Sequence, residues 1–364
     1  MSVPATTGTL KNNIKDMQIG DYIACKYVAA SGAVGTFSEL GTSTATEIPI
    51  ASAAVPNGTF YFVKTATGLL IADRNVQSSV SWDVLNAGKY IQGLPWDNGN
   101  IIPTMTSNNT PNGVASASSE YGGTNNYYAW KAFDKDNTGL SKWLSVNGTT
   151  TGWLSFTHFS PKKITCYTLG KGAGNAGSEP NSWTFEGSND GNVWTVLDTQ
   201  IGQINWIDSE KRRYLINNKT EYLKYRINVT KNNGGTYVQI GELEMFEIAG
   251  TIRSLTGGVA YADANGNSVT ADALKGSWPI NNEWDKYIVN FSTNKVQSSK
   301  TLDDVFHHVQ TLCTWTQDTP MLSKSAATTR VGRGRITGLA LTYPASSYSG
   351  VDYGFRPVIE YKEV

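Results

Sequence analysis

The sequence predicts a mainly β protein in which one β-rich block is inserted into another, and three observations predict it. Only 16% of the 364 residues are charged, while Gly numbers 36 and the aromatics reach 11 Trp, 18 Tyr and 11 Phe. Few charges, many aromatics and abundant turn formers suit sheets and long loops, not helical bundles. Second, apolar residues alternate along short runs such as KYRINVT (Lys224–Thr230), bounded by Gly and Asn-Gly turns. Third, composition shifts near residues 94–113 and at Ala249-Gly250 divide the chain into 1–100, 103–248 and 251–364.

In the first segment, DYIACKYVAA and TFYFVKTATGLLIADRNV read as strands around Asn57-Gly58. SWDVLNAGKYIQG then begins a short helix with Ser81 as N-cap and Gly88 or Gly93 near its end. PWDNGNIIPTMTSNNTPNG, with three prolines, reads as a linker. In the second segment, SWTFEGS, the turn Asn189-Asp190-Gly191 and VWTVL form a hairpin signature, and GELEMFEI closes the block as a strand. Trp143, Trp153, Trp183 and Trp194 read as core or near-core. The third segment carries a helix around NNEWDKYIVNF and the Gly/Arg-rich TTRVGRGRITG. GNIIPTM before the middle block and AGTIRSL after it look like two exits from one framework, as insertion into a surface loop produces.

Thirty basic and thirty acidic residues give zero formal net charge, so nothing favours nucleic acid or an anionic membrane surface. No window approaches ~18 uninterrupted apolar residues, so no membrane span is expected. Cys25, Cys166 and Cys313 lack metal-type spacing and read as small apolar residues. The N-terminus lacks a charged start followed by an apolar run, so no signal peptide is expected and synthesis is assigned to the cytoplasm.

KAFDKDNTGLSKW (Lys131–Trp143) packs two aspartates and several hydroxyl and amide side chains between aromatics. By residue type alone it is a polar turn, a metal loop or part of a catalytic carboxylate pair, and the turn is the commonest of these. TLDDVFHHV places Asp304 and His308 four apart, on one face if helical, but adjacent histidines do not converge on one ion and H-E-x-x-H is absent. No G-x-S-x-G or P-loop is present. Glycosidase carboxylate pairs leave no fixed sequence spacing, and that reading stays open.

The residues ASASSEYGG, AWKAFDKDNTGLSKWLS, GWLSF, EGSNDGNVWTVL, YLKYRINVTKNNGG and QIGELEMF occur in an order that resembles discoidin-type domains, the coagulation factor V/VIII type C group and family 32 carbohydrate-binding modules. The resemblance covers about a third of the chain, from Pro111 to Glu247. It implies a galactose-binding-like jelly-roll β-sandwich and a structural calcium held by Asp134, Asp136, Thr138, Ser141 and Glu242, with Glu244 as second choice for the distant carboxylate. It further implies that sugar is read by loops at one end, with Tyr121, Asn126, Tyr127, Lys171, Asn175, Glu179, Asn232 and Tyr237 as contacts. Relatives that bind galactose often carry a His and an Arg there. In this chain His158 falls in a strand or its edge and Lys171 stands where an Arg is expected.

NNEWDKYI, TWTQDTP, TRVGRG and YGFRPVIEY resemble the α+β C-type-lectin-like ending of formylglycine-generating-type and certain phage receptor proteins. That resemblance implies a buried structural Arg356 paired with a carboxylate or with carbonyls. The enzyme branch uses two late cysteines, and only Cys313 is present. With MQIGDYIACKYVA at the start, the whole is similar to tail-associated proteins of phages of Gram-positive bacteria. The function implied is non-catalytic recognition of bacterial surface glycans by a virion tail component made in the host cytoplasm. Its partners would be glycans, other tail proteins and further copies of itself, with a trimer among the options. A module of a glycan-degrading tail enzyme and a structural virion decoration are the alternatives.

Overall fold

In the computed structural model, residues 2–42, 46–96, 100–122, 127–137, 141–247, 250–270, 278–321, 327–335 and 337–363 are described. The chain divides into two compact units: Met1–Asn98 with Gly250–Glu363, and Gly99–Ala249. Residues 1–100 and 251–364, expected as separate domains, are therefore one unit.

Long-range pairing joins them. An eight-stranded sheet runs through Leu10–Lys11, Tyr22–Val28, Asn57–Ala66, Leu69–Ala72, Val358–Tyr361, Gly250–Arg253 and Leu94–Trp96, with Thr36–Ser38 on its flank. Leu70 faces Ile359, and Gly250 faces Trp96, so this sheet holds strands from both ends of the sequence. A second sheet joins Gln77–Ser78 to Tyr353–Phe355, Cys313–Trp315, Gly332–Arg333 and Leu341–Thr342. Ser81 accepts the N–H of Val84 and caps the helix Trp82–Ala87, which ends at Gly88 as its sequence suggests.

NNEWDKYIVNF forms a π-helical turn over Trp284–Val289. The DDVFHH helix is shorter than the i, i+4 reading requires: it spans Leu302–Phe306 and stops at His307, whose φ is +42°. His308 thus lies off the helix, and Asp304 is spent on a capping box with Thr301. His307 contacts Asp73 at 3.4 Å and the Ser2 carbonyl at 3.0 Å, which is structural anchoring.

The inserted unit is a jelly-roll β-sandwich. One antiparallel sheet orders Thr195–Gln200, Pro180–Ser188, Tyr222–Asn232, Gly152–Lys162 and Val114–Ala117; the other orders Lys211–Leu215, Cys166–Gly170 and Glu242–Phe246. Alternate residues of the two sheets meet in one core. Tyr167 stacks on Phe185 at 4.3 Å, its hydroxyl accepts Trp183 Nε1–H at 2.9 Å and donates to Asp198 at 2.7 Å, so a buried polar group is satisfied where the sheets meet. Trp143 and Trp183 are fully buried, but Trp153 and Trp194 are only partly so. Trp194 carries the Arg226 guanidinium on its face at 4.1 Å, outside the core. The segment read as a linker contributes Ile102 and Met105 to the core. Ile101 N–H donates to Met245 O at 2.9 Å, pinning the sandwich's entry beside its exit.

Candidate functional site

The oxygen-rich loop packs against the start of the last sandwich strand. Asp134 Oδ1 accepts the backbone N–H of Asp136 at 2.9 Å, and its other oxygen accepts the Ser141 hydroxyl. Lys135 adopts φ +64° and donates its N–H to Glu242 Oε2 at 3.1 Å. Three expected ligands, Asp134, Ser141 and Glu242, are thereby brought to one place. Asp136 is exposed, Thr138 lies outside the described residues, and Glu244 is committed to Thr168 and Lys211.

Glu242 is fully buried, and its Oε1 has no hydrogen-bond partner among the described residues. Burial pushes its carboxyl well above the ordinary range, with the negative charges of Glu244 and Asp134 adding to a shift that Lys211 opposes. Asp134 is raised as well, by burial, against the Ser141 hydrogen bond. Sequence reasoning missed Asn137. Its buried amide also lacks a partner among the described residues and lies against Gly170 and Gly241, where a Cβ would come within 2.7 and 2.4 Å of its Oδ1. The described residues hold no group of three His, Cys, Asp or Glu placed for a metal. What comes together is two carboxylates and a hydroxyl, with the unpartnered Asn137 amide lying against Gly241, the residue before Glu242. This all-oxygen donor set fits a hard cation such as calcium and lacks the thiolate or imidazole that zinc favours.

Next to this loop lies an aromatic cluster. Tyr121 and Tyr127 are bridged through their backbones, with rings 6.1 Å apart, and Tyr121 meets Tyr237 edge to face at 5.7 Å. Tyr127 is buried, while Tyr121 and Tyr237 remain half-exposed. Lys142, which follows the oxygen-rich loop directly, is buried with Nζ 5.5 Å from the Tyr127 ring, and it donates to the Ala173 carbonyl. Burial lowers its pKa. Lys171 pairs with Asp208 at 2.6 Å, and Asp208 in turn accepts the Gly174 N–H.

Loops 171–179 and 232–237 are clamped together. Gly235 N–H donates to Gly177 O at 2.8 Å, and Asn233 N–H to Glu179 O at 3.2 Å. Asn232 uses its amide internally, donating to Gly235 O and Tyr237 O and accepting Gly234 N–H, so it braces the loop. Glu179 is buried and Asn175 exposed at φ +49°. Asn126 lies outside the described residues. Gln239, unmarked by sequence, donates to Gly172 O and ties the same loop to the strand before Glu242. His158 belongs elsewhere: it is buried between Phe156 and Tyr225, and burial lowers its pKa to about 4. Among the described residues no helix is long and apolar enough to cross a membrane.

Known structures similar to this chain include a family 32 module of Clostridium perfringens in complex with GalNAc-β-1,3-galactose, with 19% identity, TM-score 0.32, 37% of this chain and 94% of that one. A second, the family 32 module of C. perfringens NanJ with galactose, shows 17% identity and a TM-score of 0.31 over 37% and 93%. A third, chitosan-binding module 2 of a Paenibacillus sp. IK-5 chitosanase/glucanase with chitotriose, shows 18% and 0.31 over 37% and 96%. No curated protein matches. The family model of the F5/8 type C domain matches residues 114–243, the stretch that holds every loop described above.

Proposed function

We propose that the chain is a non-catalytic glycan-binding protein whose sandwich reads bacterial surface sugars through the Tyr121–Tyr127–Tyr237 end. The observation that carries this reading is the pair of half-exposed rings, Tyr121 and Tyr237, held edge to face, with the Tyr127 ring 6.1 Å from Tyr121. Tyrosine faces stack on sugar rings, and the clamped loops keep the rings in place without ordering on binding. The F5/8 type C match over residues 114–243 supports the same reading.

Calcium belongs to this proposal as a brace. Asp134, Ser141 and Glu242 would hold it, with Asn137 beside them, and its charge would offset the two carboxylates. Because Ser141 adjoins Lys142, holding this loop also holds the buried lysine that packs on the Tyr127 ring.

The wider context follows from the flanking segments: a phage tail receptor-binding component whose weak single sites add by avidity across copies. The C-type-lectin-like reading of residues 251–364 is part of that context. A glycan array probed with the full chain, with calcium and with chelator, tests the binding. Silence against every bacterial glycan in both conditions would overturn it. Release of reducing ends from purified cell wall would instead favour the enzyme module, and absence of the protein from purified virions would remove the tail assignment.

A further inference from the structure

The unit formed by the two ends of the chain contains its own pocket, of about 220 Å³, walled by Trp284, Ile288, Leu302, Phe306 and Leu339. Arg356 lines it, from the GFRP stretch near the C-terminus, and is only 3% exposed. Sequence resemblance implies a carboxylate or carbonyl partner for this guanidinium. The structure supplies a carbonyl and a ring but no carboxylate: Nη1 donates to Ala72 O at 2.9 Å, the single hydrogen bond of the group among the described residues, the guanidinium lies 5.9 Å from the Trp284 ring centroid, and Nε is buried without a hydrogen-bond partner. Asp73, the carboxylate whose charge reaches it, is engaged by Arg74 at 2.7 Å. Burial outweighs the attraction of Asp73 and lowers the Arg356 pKa to about 10. A guanidinium removed from water without a directly bonded anion is costly, and its planar fork matches a carboxylate.

We propose that this pocket is a second ligand site, taking a small one-ring monocarboxylate whose ring fills the apolar cavity and whose carboxylate pairs with Arg356. Size sets the ring count, since a dry apolar cavity of roughly 150 Å³ already admits benzene. Charge sets the headgroup. His308, also on the wall, is tethered through Nε2 to Gly334 O, and Asp303 stands 3.6 Å from its Nδ1 with its side chain mostly exposed. Asp303 therefore opposes an entering anion from the rim. This site does not depend on the glycan reading of the sandwich.

The test titrates the full chain with benzoate and with neutral benzamide, read by saturation-transfer NMR and by thermal shift. Benzoate is expected to bind about tenfold more tightly than benzamide, the difference made by one charge-assisted pair. Leu339, 55% exposed at the mouth, gives a blocking variant that leaves the core alone, and L339W is expected to abolish binding. D303N is expected to tighten benzoate roughly two- to fivefold by removing a like charge. Equal affinity for benzoate and benzamide, binding that survives L339W, or no benzoate binding at millimolar concentration would each overturn the proposal.

Discussion

Glu242 accepts the backbone N–H of Lys135 at 3.1 Å, tying the last strand of the sandwich to a loop 107 residues earlier. Its second oxygen has no partner among the described residues. One carboxylate thus anchors the loop and still has an oxygen left for a cation.

That arrangement makes calcium dependence and pH dependence one experiment. Without a cation, the folded carboxyl holds its proton more tightly than the unfolded one. This group's contribution is therefore most favourable below its ordinary value of 4.5 and declines as pH rises toward the raised folded value. Calcium favours the charged form, so the gain in Tm from calcium over chelator should grow with pH. At a hundredfold excess over Kd the gain is about 2.7 kcal/mol. E242Q should lose both the calcium increment and this pH slope. Identical melting with calcium and with chelator from acid to neutral pH would remove the metal from the account.

At the sugar end, contact and positioning separate. Y237A removes a half-exposed ring and should weaken glycan binding about tenfold while stability changes by less than ~1 kcal/mol. G235A deletes no contact atom, yet its Cβ would lie 2.4 Å from Ser178 Oγ and 2.7 Å from the Gly177 carbonyl carbon. Forcing the two loops apart should cost affinity as well, measured by calorimetry on an array hit. Unchanged affinity in both variants would move the site off this end of the sandwich.

His158 sets an acid limit. Its folded pKa, about 4, lies below the unfolded 6.5, so its contribution is fully present above pH 6.5 and lost as pH falls toward 4. The loss amounts to roughly 3 kcal/mol. H158F, between Phe156 and Tyr225, should keep the packing and shift the acid-unfolding midpoint of the sandwich downward in circular dichroism. An unmoved midpoint would show that another group governs acid unfolding.

In the other unit, Arg74 is completely buried, bonded to Asp73, Glu47, Ile48 O and Ser2 O. R74A strands Asp73 and should cost about 3–5 kcal/mol in denaturant unfolding. R74K keeps the charge but not the fork of donors, and should fall between the two. A loss in R74A below ~1 kcal/mol would show that Asp73 finds other compensation.

The sandwich was legible because its signals are local: KYRINVT alternates, the GSNDGNVW turn is short, and GELEMF follows in order. Trp194 misled because alternation marks a face without saying whether Arg226 or the core covers it. The union of the outer segments was legible only through the two similar exits, GNIIPTM and AGTIRSL, while the strand pairing that makes it, Leu69–Ala72 with Val358–Tyr361, leaves no periodic trace in either strand. The oxygen-rich loop announced itself by composition. Asn137 did not, because its burial depends on two glycines, Gly170 and Gly241, that are remote in sequence. Asp208 was missed for the same reason: nothing near it hints at Lys171.

The strand Leu94–Trp96 ends beside Gly250–Arg253, and the sandwich's own ends are bridged at Asn100 and Phe246. For the framework sheet, the whole insert is therefore a connecting loop whose ends its own folding has already brought together. An unstructured loop of that length would cost roughly 4 kcal/mol to close. The insert's folding relieves the edge strand of that entropy, so melting the sandwich should loosen Leu94–Trp96 first. The same geometry makes the insert a replaceable cassette: any module with adjacent ends fits the gap, and recognition can be exchanged while the framework sheet keeps its register.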